Sequence, residues 1–115
     1  MTFEELSVLV ERKESTTLEF KETTGERQDA TKTTAAMLGQ RGGHVLFGVK
    51  DDGTIVGQQV GSQTLEDVSA ELRRIEPACF PAIEEVALPN GRSVVAVLVP
   101  SGSGPYTYKG KAYFR

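Results

Sequence analysis

Apolar side chains at the start of the chain recur at the spacing of one helix face. They occupy four positions, Phe3, Leu6, Leu9 and Val10. Thr2 precedes this run and can cap the helix, with Glu5 three residues later as the second half of a capping box. The pattern predicts an amphipathic helix at the N-terminus.

In the next segment apolar and polar residues alternate with a period of two, which predicts a half-buried strand. In this strand Leu18 and Phe20 face one side, and Glu19 and Lys21 face the other. Further on, the nearly continuous apolar run "GHVLFGVK" predicts a central strand, because a strand buried on both faces does not alternate. The turn "DDG" after it predicts that "TIVG" returns as a hairpin partner.

Helical spacing of apolar residues indicates two more helices. The first is predicted over residues 26–38, with Gly39 as its C′ residue. Its predicted inward face consists of Ala30, Thr34, Met37 and Leu38. The second helix is predicted to begin near Thr64, with Asp67 three residues later, and to end before Pro77.

In the rest of the chain, strand-like segments are separated by turn residues. One hairpin is predicted from "EEVAL", the turn "PNG" and "SVVAVLV", and a short one from "YTYKGKAYFR" around Lys109 and Gly110. This order of elements lacks the strict strand–helix alternation of a doubly wound fold. We therefore predict an α+β fold with a mixed, largely antiparallel sheet and about three helices, in a single domain over residues 1–115.

The charge balance is mildly acidic, with 13 Lys and Arg against 16 Asp and Glu and a net charge of −3. It counts against a uniformly basic nucleic-acid scaffold, but it permits a local basic patch. The one cysteine, Cys79, cannot form an internal disulfide, so a reducing, cytoplasmic location is expected. No apolar run approaches the length of a membrane span, and no membrane association is expected.

The glycine-rich segment "GQRGGH" does not predict a nucleotide-binding loop, since its glycines end a helix and open a strand. A helix cap with a close backbone approach is the favoured interpretation, and Arg41 at the tip is available for a phosphate. His44 and Cys79 lack neighbouring metal ligands or catalytic partners at an informative spacing. Both are interpreted as structural residues.

Three carboxylates could converge at one end of the predicted sheet. Glu14 precedes the first strand, Glu19 lies on its polar face, and Asp51 follows the central strand. Such oxygen ligands suit Mg²⁺ or Mn²⁺, which could serve phosphodiester hydrolysis. From spacing alone, solvated acids beside strand ends are the favoured interpretation, because Asp51 belongs to an ordinary turn.

Basic and aromatic residues are interleaved in the last predicted hairpin. The basic residues are Lys109, Lys111 and Arg115, and the rings are Tyr106, Tyr108, Tyr113 and Phe114. Cations for phosphates beside rings for stacking suit a nucleic acid. An amphipathic hairpin with its rings in the core is the alternative, and this alternative is favoured for Phe114.

Three ordered motifs resemble the Schlafen/AlbA-like DNA-binding domain family over residues 14–115. They are E-S-x-x-x-E-F-K, G-G-x-x-x-x-G-V-x-D-x-G and P-Y-x-x-K-G-x-x-Y-x-R. The family commonly has A-F-A-N-T before the two glycines, whereas this chain has Gly39 in place of the asparagine. The resemblance implies an α+β fold related to the chromatin protein Alba, in a domain at the N-terminal end of a longer transcriptional regulator.

Schlafen proteins look similar in this region, and some of them cleave tRNA or rRNA with three acids. By motif position, the resemblance places those acids on Glu14, Glu19 and Asp51. These residues would then be both the catalytic residues and the ligands of Mg²⁺ or Mn²⁺. Because those nucleases combine two such lobes, the resemblance also implies a homodimer.

Three hypotheses about function follow. The leading one is a nucleic-acid-binding module, the DNA-binding domain of a transcriptional regulator, which needs no cofactor for binding. Its predicted phosphate contacts are Lys21, Arg41, Lys109, Lys111 and Arg115. The alternative is a metal-dependent endoribonuclease that acts on tRNA or other structured RNA. The third is an interaction or dimerisation domain that pairs through an exposed edge strand near the chain end.

Overall fold

The computed structural model describes all 115 residues of the chain. Its helices are α1 (Phe3–Val10), α2 (Arg27–Leu38) and α3 (Ser62–Leu72), with a 3₁₀ turn at Thr24–Glu26. Its strands are β1 (Leu18–Lys21), β2 (Gly43–Phe47), β3 (Ile75–Glu76), β4 (Ala82–Ala87), β5 (Ser93–Val99), β6 (Thr107–Tyr108) and β7 (Lys111–Ala112). The predicted α+β fold is confirmed. None of the helices combines the length and the apolar character that crossing a membrane requires.

The main sheet has four strands in the order β1-β2-β5-β4. β1 and β2 are parallel, whereas β5 pairs antiparallel with β2 on one side and with β4 on the other. A second, smaller sheet has the order β3-β6-β7 and is antiparallel throughout. The sheets are therefore mixed and largely antiparallel, and β1 is an edge strand of the larger one.

The main sheet separates two hydrophobic cores. α1 covers one face, where Leu6 packs in the same cluster as Leu46. α2 and α3 cover the other face, where Met37 packs in the same cluster as Val45 and Phe47. Successive residues of β2 thus enter opposite cores, and this double burial explains its uninterrupted apolar run, as predicted.

The N-terminal helix begins as predicted. The Thr2 hydroxyl accepts the N–H of Glu5 at 3.1 Å, and the Glu5 carboxylate accepts the N–H of Thr2 at 2.9 Å. The cap of α3 differs from the prediction, because the helix begins at Ser62 and Gly61 is its N-cap. The hydroxyl of Thr64 instead reaches back to accept the N–H of Gly61 at 3.1 Å, which lets the helix begin two residues earlier.

Gly39 follows α2 as predicted, but its φ of −80° is not left-handed. The left-handed turn falls on Gly42, with φ of 74°, whose N–H donates to the carbonyl of Met37 at 2.8 Å. The next residue, Gly43, has φ of 144° and lies against the Thr17 backbone, where an added Cβ would be 2.2 Å from the carbonyl oxygen. The close backbone approach expected of this segment is therefore present at Gly43.

The hairpin predicted from "TIVG" does not form as a regular strand pair. Only an isolated bridge joins Val49 to Ile55. Gly48 has φ of 109°, which bends the chain out of the strand, and its carbonyl accepts the N–H groups of both Val56 and Gly57. This bend replaces the ladder of hydrogen bonds that a second strand would need.

The C-terminal hairpin of β6 and β7 is present as predicted. Lys109 and Gly110 both have positive φ, 53° and 78°, as a two-residue type I′ turn requires. Tyr108 is fully buried. The interpretation of Phe114 as a core residue is wrong, because its side chain is 80% exposed. The neighbouring Tyr113 packs against the core instead, and adjacent side chains of an extended segment point in opposite directions.

Candidate nucleic-acid interface

Glu19 is held between two cations on the α2 side of the edge strand β1. One of its carboxylate oxygens lies 3.4 Å from Nζ of Lys21, and the other lies 3.2 Å from a guanidinium nitrogen of Arg115. Lys21 also forms an ion pair with Asp29 in the first turn of α2. The Glu19 side chain is only 16% exposed, so these ion pairs are shielded from water more than ordinary surface pairs.

The ion pair with Asp29 helps to keep Lys21 charged although its side chain is mostly buried. Burial lowers the pKa of Lys21, but the carboxylates of Asp29 and Glu19 outweigh burial and raise that pKa above its ordinary value. In return, the hydrogen bond from Lys21 lowers the pKa of Asp29. Both groups are therefore charged at neutral pH, and Lys21 is already neutralised within the domain.

Glu14 has a structural role at the open edge of β1. One of its carboxylate oxygens accepts the backbone N–H of Phe20 at 3.0 Å. No strand lies on that side of β1, so the carboxylate satisfies a donor that would otherwise face solvent. Partial burial raises the pKa of Glu14, the Phe20 N–H opposes this, and the carboxylates of Glu19 and Asp51 raise that pKa further.

The three predicted acids are thus neighbours, but in this arrangement they do not fit a bound metal ion. The oxygens of Glu19 face Lys21 and Arg115, and one oxygen of Glu14 is bound to a backbone N–H. No three Asp, Glu, His or Cys side chains are placed so that together they could hold an ion. The predicted Mg²⁺ or Mn²⁺ site stays a prediction, and it would require Glu19 to release both cations.

The predicted phosphate contacts fall into two groups. Lys21 and Arg115 are engaged by carboxylates, and Arg115 also donates to the backbone carbonyls of Ser15 and Thr16. The others, Arg41, Lys109 and Lys111, are exposed and form no ion pair with any carboxylate. The structure therefore separates cations that hold the domain together from cations that are free for a ligand.

Lys32 is an additional exposed cation that the sequence reasoning missed. It projects from α2, and its Nζ lies 5.9 Å from the centre of the Tyr113 ring. Nearby, Nζ of Lys109 lies 3.4 Å from the amide oxygen of Gln28, also on α2. The helical pattern could have indicated Lys32, since it lies outside the predicted inward face of residues 26–38.

At the other end of α2 lies a polar cleft of about 410 Å³. It is lined by Thr16, Thr17, Gln40, Arg41 and Arg115, with no hydrophobic residue. The free guanidinium of Arg41 and the two threonine hydroxyls are donors that suit a phosphate or another anion, whereas the guanidinium of Arg115 is shared with Glu19. The cleft brings together residues from the segment before β1, the segment after α2 and the end of the chain.

Comparison with known proteins identifies the fold and the family. No curated protein matches the chain significantly. The solution NMR structure of the N-terminal domain of an ATP-dependent DNA helicase RecG-related protein from Nitrosomonas europaea is similar, with a TM-score of 0.71 and 21% identity. That similarity covers 96% of this chain and 87% of the other.

The crystal structure of the DIP2311 protein from Corynebacterium diphtheriae is also similar, with a TM-score of 0.69 and 16% identity. This similarity covers 97% of this chain, and this chain spans only 27% of the length of that protein. At these identities both likenesses concern the fold alone. The match to the Schlafen, AlbA_2 family extends over residues 14–115, and the chain therefore belongs to this family.

Proposed function

We propose that the domain binds nucleic acid through a cationic surface formed by α2 and the C-terminal hairpin. The observation that carries this proposal is the distribution of its free cations. Lys109 lies beside the first turn of α2, Lys32 projects from its middle, and Arg41 follows its end. The 12 residues of α2 span about 18 Å, a length along which a nucleic-acid strand carries several phosphates.

This surface is basic although the whole chain carries a net charge of −3. Because the rest of the protein is acidic, this local positive charge favours binding of a polyanion at this surface over non-specific binding to anions elsewhere on the protein. Family membership supports the proposal, and so does the fold shared with a DNA helicase RecG-related protein. In a longer protein such a module would serve as the DNA-binding domain of a transcriptional regulator.

The test is an electrophoretic shift of labelled duplex DNA and labelled tRNA across a salt series. We expect binding that weakens steeply with salt and depends little on sequence. The double variant Lys32→Gln/Lys111→Gln should lower the steepness of the salt dependence by about 0.7–0.9 for each phosphate that is no longer neutralised. The matched control Lys50→Gln/Arg92→Gln removes two exposed charges elsewhere and should bind as the parent does. Absence of binding at low salt would refute the proposal.

Metal-dependent cleavage of tRNA or another structured RNA is the second candidate function. The observation in its favour is that Glu14, Glu19 and Asp51 are close enough for the other two carboxylates to raise the pKa of Glu14. The same incubations, with Mn²⁺ or with a chelator, are scored for cleavage. We expect a shift without cleavage, since Glu19 is neutralised by two cations. Cleavage that needs Mn²⁺ and disappears in Glu19→Gln would favour the nuclease.

We also propose that two copies of the domain associate. The outer edge of β4 has no partner strand within the chain, because β4 is the last strand of the main sheet. Unpaired backbone donors and acceptors on such an edge can pair with a second copy. Light scattering coupled to gel filtration measures the mass in solution. A monomer mass at the highest concentration tested would contradict this proposal.

A further inference from the structure

An apolar pocket of about 350 Å³ lies between α2 and the segment that carries the C-terminal hairpin. Small residues of the α2 end, Ala35, Ala36 and Gly39, line one side. The rings of Tyr106, Tyr113 and Phe114 line the other. The pocket volume lies within the range of small-ligand sites, and small residues facing rings leave a slot suited to a flat group.

The exposed ring of Phe114 indicates that this pocket opens to solvent and is not a packing defect inside the core. Its side chain is 80% exposed, although the pocket beside it is apolar. A large exposed ring at the rim of an apolar cavity is a frequent feature of ligand sites. Aromatic rings offer a flat ligand stacking surfaces on which every type of base can stack.

The apolar pocket adjoins the polar cleft that holds Arg41 and Arg115. Gln40 lines both cavities, so the two share one wall. One cavity offers rings and small apolar side chains. The other offers the free guanidinium of Arg41, the hydroxyls of Thr16 and Thr17, and the guanidinium of Arg115, for which a ligand would compete with Glu19. The pair is complementary to a ligand with a flat, mostly apolar part joined to a phosphate.

We propose that these two cavities take one unstacked nucleotide, with its base in the aromatic pocket and its phosphate in the arginine cleft. Gln40, which lines both cavities, carries an amide donor and an amide acceptor for the base edge or the sugar. This inference rests on the proposed nucleic-acid function and specifies the ligand. It would be a single-stranded segment or an end, because bases in an intact duplex are stacked and paired.

Other classes of ligand fit the same surface less well. An aromatic side chain of a peptide would fill the pocket but would leave the arginine cleft without an anion. Free phosphate would occupy the cleft but would leave the rings exposed. A nucleotide satisfies both cavities at once, and the exposed lysines Lys32 and Lys111 would then hold flanking phosphates of the same strand.

The test fills the apolar pocket without changing any charge. An added Cβ on Gly39 would lie 3.7 Å from the Ala36 carbonyl oxygen and 3.7 Å from Cα of Gly104, which are ordinary contacts. Gly39 also has a φ of −80°, which any residue adopts. Gly39→Leu therefore places a side chain at the pocket without backbone strain. Gly61→Leu is the matched control, since nothing lies within 4 Å of a Cβ there.

The probes are a fluorescein-labelled eight-nucleotide single strand and the corresponding duplex, measured by anisotropy with the whole chain. We expect Gly39→Leu to weaken single-strand binding about tenfold, the effect of losing one stacked base, and to leave duplex binding unchanged. Gly61→Leu should change neither. Phe114→Ala, at a position whose side chain is 80% exposed, should also weaken single-strand binding selectively.

The outcomes separate this inference from the proposed function. Duplex binding that persists while both pocket variants bind the single strand as the parent does would overturn the nucleotide site alone. Equal losses for single strand and duplex would also overturn it, because the pocket would then act through general structure. No binding of either probe by the parent chain would overturn both proposals.

Discussion

The carboxylate of Glu19 lies 3.2 Å from the guanidinium of Arg115, although 96 positions separate the two residues in the chain. This ion pair joins the edge strand β1 to the end of the chain. It also connects the three acids to the arginine cleft, since Arg115 lines that cleft. Any anion that binds Arg115 must therefore compete with Glu19 for the same guanidinium group.

Glu19→Gln should strengthen nucleic-acid binding. The substitution removes a competing carboxylate and leaves Lys21 and Arg115 with more unneutralised charge. We expect affinity for tRNA to rise about two- to fivefold at low salt, as the removal of a partly shielded ion pair implies. Anisotropy titrations at two salt concentrations measure the change.

The control for this variant is Glu66→Gln, which removes a carboxylate 3.4 Å from Arg73 on the exposed side of α3. It should leave affinity unchanged, because this pair lies outside the proposed interface. If Glu19→Gln binds less tightly than the parent chain, Glu19 contributes to binding directly and the competition with Arg115 is refuted.

Glu14→Gln should stabilise the domain at neutral pH. The pKa of Glu14 in the folded state is raised by partial burial and by Glu19 and Asp51. A raised pKa means that the folded state favours the protonated carboxyl, so stability falls as pH rises through the folded pKa. The amide keeps an oxygen for the Phe20 N–H and removes the repulsion.

The expected gain for Glu14→Gln is below about 1 kcal/mol, because the side chain is largely exposed to solvent. Urea unfolding at pH 7 and at pH 4 measures it. The gain should disappear at pH 4, where the parent carboxyl is mostly protonated. Glu14→Ala, which leaves the Phe20 N–H without its acceptor, should not share the gain, and an equal gain would contradict this account.

Alkaline unfolding should report on Tyr108. Burial, and then the carboxylate of Glu71 that accepts its hydroxyl hydrogen, raise the pKa of Tyr108 to about 12. Because an unfolded tyrosine has a pKa of about 10, stability is retained below pH 10 and is lost as pH rises toward 12. The loss should be on the order of 2–3 kcal/mol at the upper end of this range.

Urea unfolding between pH 9 and pH 12 measures this slope. In Tyr108→Phe the slope should be smaller by the contribution of one tyrosine. The same variant should be destabilised by about 1–3 kcal/mol at pH 7, since the buried carboxylate of Glu71 then lacks that donor. An unchanged pH dependence in Tyr108→Phe would show that other groups cause the alkaline unfolding.

Gly43→Ala should destabilise the domain severely. Gly43 has a φ of 144°, and an added Cβ would lie 2.2 Å from the carbonyl oxygen of Thr17. Backbone strain and steric overlap each cost about 1–3 kcal/mol, so a loss of at least about 2 kcal/mol is expected. Gly61→Ala, in open space, is the control. Chemical unfolding of both variants decides the matter, and a loss under about 1 kcal/mol in Gly43→Ala would contradict the close backbone approach.

Sequence patterns predicted the elements whose causes are local. The capping box of Thr2 and Glu5, the two faces of β1 and the turn at Lys109 depend on residues a few positions apart. Periodicity of apolar residues reports which face is buried, because burial is the main requirement that a helix or strand places on its sequence. The fold class followed from the order of these elements.

The long-range relationships could not be read in this way. Lys21 and Arg115 looked like free cations in the sequence, but in the fold they neutralise Asp29 and Glu19. Phe114 looked like a core residue, but in the fold Tyr108 and Tyr113 of the same segment pack in or against the core and the Phe114 ring is exposed. The residue type of a side chain limits which partners it can bind, but the fold decides which of these partners lies close enough to bind it.

The sequence by itself thus determined the α+β elements, their buried faces and the residue types that gather at one sheet end, because these follow from local periodicity and chain order. Only the tertiary structure decided which acids and bases neutralise one another and which remain free. It also created the paired cavities around Gln40, whose walls come from segments far apart in the chain. The physical reason is that a site is a spatial arrangement, and packing, not sequence spacing, sets the distances within it.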